Sequence, residues 1–152
     1  MALFTPEGLV EDQAIRVDDE APLPKEGLVM VSVARWFDAA KEEPGRIRGL
    51  VLRTDDPVDG LPPDLDRIEF EVERFTDGRV FTQARLLRRR HGFRGVISVT
   101  GPFLPDQAAH LFRCGVDAIV VPDDVDPEPW ARTVARFPRY YQSAARGVGV
   151  RI

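Results

Sequence analysis

The chain has 152 residues and a formal net charge of −4, with 43% hydrophobic and 30% charged residues. A chain of this size can bury a core of its own, so we predict one domain. The negative charge argues against general binding to nucleic acid or acidic membranes, because both require a positive field.

The cysteine content and the hydropathy of the chain indicate its class. Cys114 is the single cysteine, which excludes a disulfide framework, a CxxC redox pair and a cysteine cluster for a metal. His91 and His110 have no partner at metal-ligand spacing, so no metal is assigned. No window approaches the roughly 20 apolar residues of a membrane span, and no signal-peptide pattern is present. We expect a cytoplasmic protein.

The first half of the chain alternates apolar runs with turn residues. A small hairpin is predicted around residues 11–13, and an acidic connector follows it. Residues 28–34 form an apolar run typical of a strand covered on both faces, and a helix ending at Pro44 comes next. Residues 48–53 are the following strand, so this half contains a strand, helix, strand unit.

The next predicted strand alternates apolar residues with three glutamates, Glu69, Glu71 and Glu73. Such alternation is typical of a strand with one wet face or of a protected edge strand. We therefore interpret the row of glutamates as a solvated face.

A helix is predicted after this strand, following the Asp77-Gly78 turn. Thr82 can act as its N-cap, with Phe81 and Leu86 as a hydrophobic staple, and the helix is expected to run to about His91.

Two further helices are predicted downstream, separated by short apolar strands. The first has Pro105 in its first turn and ends at Gly115. Asp126 caps the second, which is expected to bury Phe137.

These elements define the predicted fold class, which is α/β. Short right-handed crossovers between successive strands generate a parallel sheet. We predict one domain with a three-layer, mostly parallel sheet and helices on both faces. Residues 1–26 would form the N-terminal β-hairpin and connector, residues 27–143 the α/β core, and residues 144–152 a mobile tail.

The loops that follow the predicted strands define a candidate ligand site. In an open parallel sheet, ligands bind beyond the carboxyl ends of the strands, where loops and helix N-termini converge. The candidate residues are Asp77, Gly78, Arg79, Gly101, Asp106, Gln107 and Asp123. Arg79 is the best candidate to contact an oxyanion, because it lies in the turn. The alternative is that Asp77 and Asp106 only shape turns and helix starts.

The most cationic run of the chain covers residues 85–94. Guanidinium groups suit small oxyanions such as sulfite, sulfate or phosphate. Helical geometry disperses these arginines, however, so the run is more typical of a solvated face, or of a docking surface for an acidic partner, than of one pocket. The candidate docking residues are Arg85, Arg88 and Arg89.

A long motif lies between residues 75 and 118. It contains Phe75-x-Asp77-Gly78-Arg79-x-Phe81-Thr82-x-Ala84-Arg85-x-Leu87-Arg88, then Gly92-Phe93-x-Gly95, Gly101, Leu104-x-Asp106-Gln107 and Arg113-Cys114-Gly115-x-Asp117-Ala118. This motif resembles an uncharacterised bacterial family, the domain-of-unknown-function family nine-three-four, and a looser resemblance covers residues 28–143. The chain departs from the family at Val96 and Pro102, where members commonly carry a carboxylate.

The resemblance implies a pathway and leaves the mechanism open. Members are often described as oxidoreductases of sulfite reduction, which implies sulfite reductase or phosphoadenylylsulfate reductase as a partner. We therefore expect an accessory protein of assimilatory sulfate and sulfite reduction, which binds a small oxyanion or docks on the reductase without a redox centre of its own. The alternative is a flavin-dependent oxidoreductase component, because a six-electron reduction requires a redox cofactor. No cofactor is evident in the sequence, and no catalytic residue is assigned.

Overall fold

The computed structural model of the protein describes residues 1–39, 45–137 and 144–145. Its strands are β1 (Ala2–Thr5), β2 (Gly8–Glu11), β3 (Ala14–Arg16), β4 (Leu28–Ser32), β5 (Gly49–Arg53), β6 (Arg67–Glu71), β7 (Val96–Thr100) and β8 (Ala118–Val121). Its α-helices are α1 (Val33–Ala39), α2 (Arg79–Arg89), α3 (Ala108–Cys114) and α4 (Glu128–Ala135), and a 3-10 turn, Pro105–Gln107, precedes α3. Within these residues no helix is long and apolar enough to cross a membrane.

The eight strands form one sheet in the order β2-β1-β8-β7-β6-β5-β4-β3. Strands β3 to β8 pair in parallel, whereas β1 is antiparallel to both of its neighbours. The predicted α/β class and mostly parallel sheet are therefore confirmed. Because β6 pairs with β5 on one side and β7 on the other, the glutamate-rich strand is central and is not an edge strand.

The two outermost strands of this order, β2 and β3, are joined by only Asp12 and Gln13. Both strands run in the same sense, because β1 is antiparallel to β2 and to β8. They are thus two halves of one kinked strand, which pairs first with β1 and then with β4. Two residues span no more than about 10 Å. The sheet must therefore curl until its two edges meet.

The predicted N-terminal hairpin exists, but it uses other strands. β1 pairs with β2 through the turn at residues 6–7, and residues 11–13 form the joint between β2 and β3. The prediction of a hairpin around residues 11–13 was wrong because it overlooked β1. Phe4 in β1 is 1% exposed and lies in the main core, so this strand is held in the sheet beside β8.

The helices pack against one face of the sheet. The strands supply the apolar residues of that face, which are Phe4, Val29, Val31, Leu50, Leu52, Ile68, Phe70, Ile97, Val99, Ile119 and Val121. The helices contribute Val80, Ala84, Leu87, Ala108, Leu111 and Trp130, and Trp36 packs against the same cluster. No second helical layer is seen in the described residues, so the three-layer arrangement is not confirmed. The opposite face curls around on itself instead.

The start of α2 differs from the prediction. The helix begins at Arg79, and its N-cap is Gly78, without a side-chain cap, so the prediction of Thr82 as N-cap was wrong. Asp77 is the reason, because its Oδ1 atom accepts the backbone N–H of Arg79 at 3.1 Å and satisfies one orphan donor before Thr82 is reached.

The ends of the later helices follow the sequence signals more closely. Gly115 ends α3 with φ 102°, as predicted for a C-terminal glycine. The Asp126 carboxylate accepts the backbone N–H of Glu128 at 3.0 Å. Phe137 is 65% exposed, contrary to prediction, because α4 ends two residues before it. The predicted helix end at Pro44 and the tail from residue 146 lie outside the described residues.

Candidate functional site at the carboxyl rim

A pocket of about 460 Å³ opens beyond the carboxyl ends of β5 and β6, and we call it the rim pocket. Its cationic lining residues are Arg53, Arg74 and Arg79, and its carboxylates are Asp55, Glu71, Glu73 and Asp77. The pocket lies among the loops that follow the carboxyl ends of parallel strands. Ligands commonly bind at this edge of such sheets. Two of the predicted site residues, Asp77 and Arg79, are therefore brought together here.

Asp77, Arg79 and Thr54 form a tight polar group on one side of the rim pocket. The Arg79 guanidinium donates to the Asp77 carboxylate at 2.7 and 2.9 Å and to the Thr54 hydroxyl at 2.9 Å. Thr54 in turn donates to Asp77 Oδ2 at 2.5 Å. The hydrogen bonds from Arg79 and Thr54 lower the pKa of Asp77, and the bond to Asp77 raises the pKa of Arg79. Arg79 is thus already engaged by an internal carboxylate.

The other two arginines of the rim pocket differ in their partners. Arg53 forms an ion pair with Glu73. Among the described residues, no hydrogen bond or ion pair is made by the Arg74 side chain, which is exposed. Arg74 is therefore the guanidinium that can accept an anion without breaking an internal contact. The sequence favoured Arg79, because it follows the Asp77-Gly78 turn, and gave no signal for Arg74.

Two predicted site residues have structural roles away from the rim pocket. Gly101 adopts φ 142°, and a Cβ atom there would lie 2.2 Å from the carbonyl oxygen of Val72. This close approach of two backbone segments requires glycine. Gln107 accepts the backbone N–H of Leu104 at 3.0 Å and so helps to start the 3-10 turn. Neither residue lines the rim pocket.

The remaining site candidates are also distributed differently from the prediction. Asp106 lies exposed in the 3-10 turn, and Asp123 accepts a hydrogen bond from the Met1 amino group at 2.8 Å. Gly78 is exposed at the N-cap of α2 with φ −86°, a conformation open to any residue. The structure therefore assigns none of these three residues to the lining of the rim pocket.

The predicted docking residues of α2 separate into two groups. Arg85 and Arg89 are exposed, and Arg85 approaches the sulfur of the buried Cys114 at 3.7 Å. The Arg88 side chain is only 3% exposed and forms an ion pair with Asp117. Arg88 therefore cannot contribute to a docking surface, because the protein already encloses it.

The sequence prediction missed a buried polar network on the concave face of the sheet. Glu69 is 0% exposed and accepts from Arg16 at 2.6 and 2.7 Å, from Arg67 at 2.6 Å and from the Ser98 hydroxyl at 2.9 Å. Asp12, in the joint between β2 and β3, accepts from Arg16 and from Arg67, each at 2.7 Å. Two cations and two anions thus balance in this network, in which Arg67, Glu69 and Asp12 are enclosed and the Arg16 side chain is 32% exposed.

The interpretation of the glutamate row as a solvated face was therefore wrong for Glu69. In a sheet that curls on itself, the polar face of a central strand is turned inward, and a buried charge needs a partner there. The signal in the sequence was Arg67, which lies two positions before Glu69 and so on the same face of β6. Arg67 is 3% exposed.

Acid titration of the network gives a test of its role. Burial raises the pKa of Asp12, but hydrogen bonds from Arg67, Arg16 and the Ala14 backbone outweigh burial and lower it from 3.8 to about 2. Asp12 therefore stabilises the folded state fully above pH 3.8, and this contribution is lost as the pH falls toward about 2.

We expect the thermal midpoint of Asp12→Asn to depend less steeply on pH between about 5 and 2 than that of the wild type. The measurement is thermal unfolding followed by circular dichroism. Asp64→Asn, which removes an exposed carboxylate, should keep the wild-type slope. Equal slopes for Asp12→Asn and the wild type would contradict a stabilising role of the ionised Asp12.

A comparison with protein families gives a match. A family model described as "Bacterial protein of unknown function (DUF934)" matches residues 49–149. The matched region begins at β5 and includes the whole lining of the rim pocket, whereas Asp12 and Arg16 lie before it. Comparisons with curated proteins and with solved structures give no match. Among the described residues, no group of three or more His, Cys, Asp or Glu side chains could hold a metal ion.

Proposed function

The chain belongs to the family described as Bacterial protein of unknown function (DUF934), and we propose that it is an accessory protein of assimilatory sulfate and sulfite reduction that binds a small oxyanion in the rim pocket. The observation that carries the proposal is Arg74, a guanidinium in a pocket at the carboxyl rim with no internal partner among the described residues. The pathway is supported by the resemblance of the motif in residues 75–118.

The lining of the rim pocket holds three arginines and four carboxylates, so a small anion is favoured only locally, at Arg74. The Arg53 charge is offset by Glu73, and the Arg79 charge is offset by Asp77. A ligand that bound at Arg79 would have to displace the Asp77 carboxylate, whereas one at Arg74 displaces only water. A guanidinium offers two parallel N–H donors, which match two oxygens of sulfite or sulfate.

The carboxylates of the rim pocket limit the size and charge of the ligand. Asp55 and Glu71 line the same space and would repel an extended polyanion. A compact dianion can contact Arg74 while keeping its other oxygens in water. This arrangement supports sulfite or sulfate in preference to a nucleotide with several phosphates.

Replacing Arg74 with alanine tests the proposal. We expect sulfite affinity to fall about tenfold or more, because a charge-assisted bidentate contact is lost. Isothermal titration calorimetry with sulfite, and then with sulfate, measures the effect. The thermal midpoint should stay close to that of the wild type, since the side chain is exposed.

Two further variants separate geometry from net charge. Arg74→Lys keeps the charge but loses the planar fork, so its affinity should lie between those of the wild type and Arg74→Ala. Arg94→Ala removes an exposed arginine outside the rim pocket and should bind sulfite as the wild type does. If Arg74→Ala and Arg94→Ala bind sulfite equally well, Arg74 is not the anion ligand.

The accessory role and the pathway are tested in two other ways. Purified protein should show no absorbance band in the blue, because a bound flavin would colour it yellow; such a band would favour the flavin-dependent alternative. A deletion strain should grow on sulfide but fail on sulfate and sulfite. Parental growth on all three sulfur sources would overturn the pathway assignment.

A further inference from the structure

β2 lies at one end of the sheet order, and among the described residues it pairs with β1 alone. The curl of the sheet brings β3, and not β2, alongside β4. Residues 8–11 therefore keep one side of their backbone unpaired within the described part of the chain. Such a row of unpaired N–H and C=O groups is a template for a further strand.

The hydrogen bonds of the β1–β2 hairpin show which backbone groups of β2 point outward. The backbone N–H of Asp12 donates to the Met1 carbonyl at 3.4 Å, so these two residues form a hydrogen-bonded pair. Hydrogen-bonded and non-hydrogen-bonded pairs alternate along an antiparallel ladder. Val10 is therefore hydrogen-bonded to β1, whereas Leu9 and Glu11 turn their N–H and C=O groups away from it. These two residues offer two donors and two acceptors to a neighbouring strand.

The side chains in the middle of this edge are apolar on both faces of the sheet. Leu9 is 37% exposed and Val10 is 48% exposed, and successive residues of a strand point to opposite faces. Natural edge strands that stay solvated are often protected by charged side chains or proline at such positions. An added strand would cover both side chains, because directly opposite residues lie about 5 Å apart.

A cavity of about 610 Å³ lies beside this edge, and we call it the edge cavity. Its apolar lining residues include Leu3, Val10, Val96, Phe112 and Val116. Leu3 is paired with Val10, so the cavity opens on the face of β2 that carries Val10. Alternate side chains of an added strand point to this face, and the cavity has room for one of them.

Two glutamates bracket β2. Glu7 precedes the strand and lines the edge cavity, and Glu11 is the last residue of the strand. Both are exposed, and no ion pair to either occurs among the residues that the structure describes. Four residues of extended chain separate them by about 13 Å. The local charge therefore complements an extended segment with a basic residue at each end.

We propose that β2 binds an extended segment of a partner protein as a ninth strand, with β-branched residues at alternate positions and a lysine at each end. Backbone hydrogen bonds to Leu9 and Glu11 hold the segment, and its aliphatic side chains cover Val10 and enter the edge cavity. The site is separate from the proposed oxyanion site. Val96 begins β7, which places the edge cavity at the amino ends of the parallel strands, whereas the rim pocket lies at carboxyl ends.

The test uses the intact protein and the synthetic peptide Lys-Val-Thr-Val-Thr-Val-Lys, acetylated and amidated at its ends. Amide hydrogen exchange and chemical shifts are followed by NMR during a titration, and the shifts give the affinity. We expect exchange at Leu9 and Glu11 to slow about tenfold or more when the peptide binds, because their N–H groups gain acceptors. Exchange at Val10 should change less, since its N–H already donates to β1.

Two altered peptides separate the backbone contribution from the charge contribution. The same sequence with every backbone nitrogen methylated keeps its side chains but has no backbone donors, so its affinity should fall about tenfold or more. Replacing both lysines of the peptide with glutamate should weaken binding by a similar factor, because Glu7 and Glu11 then repel it.

Matched variants of the protein locate the site. Leu9→Pro removes one outward N–H from an edge strand and should weaken peptide binding about tenfold while circular dichroism shows a retained fold. If Leu9→Pro folds poorly, Glu11→Gln replaces it, and Glu20→Gln, the same change in the loop before β4, should bind the peptide as the wild type does. Unchanged exchange at Leu9 and Glu11, equal affinity for the methylated peptide, or equal affinities in Glu11→Gln and Glu20→Gln would each overturn the proposal.

Discussion

Replacing Arg67 with methionine is expected to lower the free energy of unfolding by about 3–5 kcal/mol, because it leaves the two buried carboxylates of Asp12 and Glu69 to share one cation, the partly exposed Arg16. The Arg67 side chain is 4% exposed and donates to Asp12, Glu69 and Ser98. Methionine keeps much of the side-chain length, so the loss reports on charge and hydrogen bonding more than on a cavity. Urea unfolding followed by circular dichroism measures it.

Two comparisons make this expectation specific to the buried network. Arg48→Met breaks an exposed ion pair with Asp66, whose side chains are 51% and 49% exposed, and should cost less than about 1 kcal/mol. The double variant Arg67→Met/Glu69→Gln should be less destabilised than the sum of the two single variants, since each change removes the other's unpaired charge. If Arg67→Met costs no more than Arg48→Met, the network does not hold the curl together.

Replacing Arg88 with methionine is the second change with a large expected effect. The side chain is buried on α2 and donates to the carbonyls of Phe93 and Gly95 at 2.8 Å, to that of Gly115 at 2.9 Å, and to the Asp117 carboxylate. Losing these bonds removes a donor from three carbonyl groups and one carboxylate at once. We expect a loss of about 3–5 kcal/mol, measured by urea unfolding.

This result also decides between two roles for Arg88. A docking residue could be replaced without changing the unfolding midpoint, whereas a residue that joins α2 to the loops before β7 and β8 could not. Arg90→Met is the matched control, because Arg90 lies two positions after Arg88 and is exposed, and it should cost less than about 0.5 kcal/mol. A midpoint for Arg88→Met equal to that of Arg90→Met would contradict this structural role of Arg88.

The candidate site could be predicted from the sequence only in part. The order of elements placed Asp77 and Arg79 at the carboxyl rim, because the outgoing loops of parallel strands converge. It also placed Gly101 and Gln107 at this rim. In the structure, Gly101 instead allows a close approach to the Val72 backbone, and Gln107 accepts a hydrogen bond from the Leu104 backbone. Arg74 could not be singled out, because its availability depends on which of its neighbours pair with each other.

The sequence by itself determined the parallel order of the later strands and the apolar face that the helices cover. Both follow from local periodicity, which depends on residues a few positions apart. Only the tertiary structure decided that the sheet curls, that Glu69 lies inside it and that Arg88 is enclosed. Asp12 and Arg67 are 55 positions apart, and Arg88 and Asp117 are 29 apart. Local sequence does not show whether a charged side chain will face solvent or a buried partner. That depends on which distant residues the folded chain brings next to it, because a buried charge needs a partner.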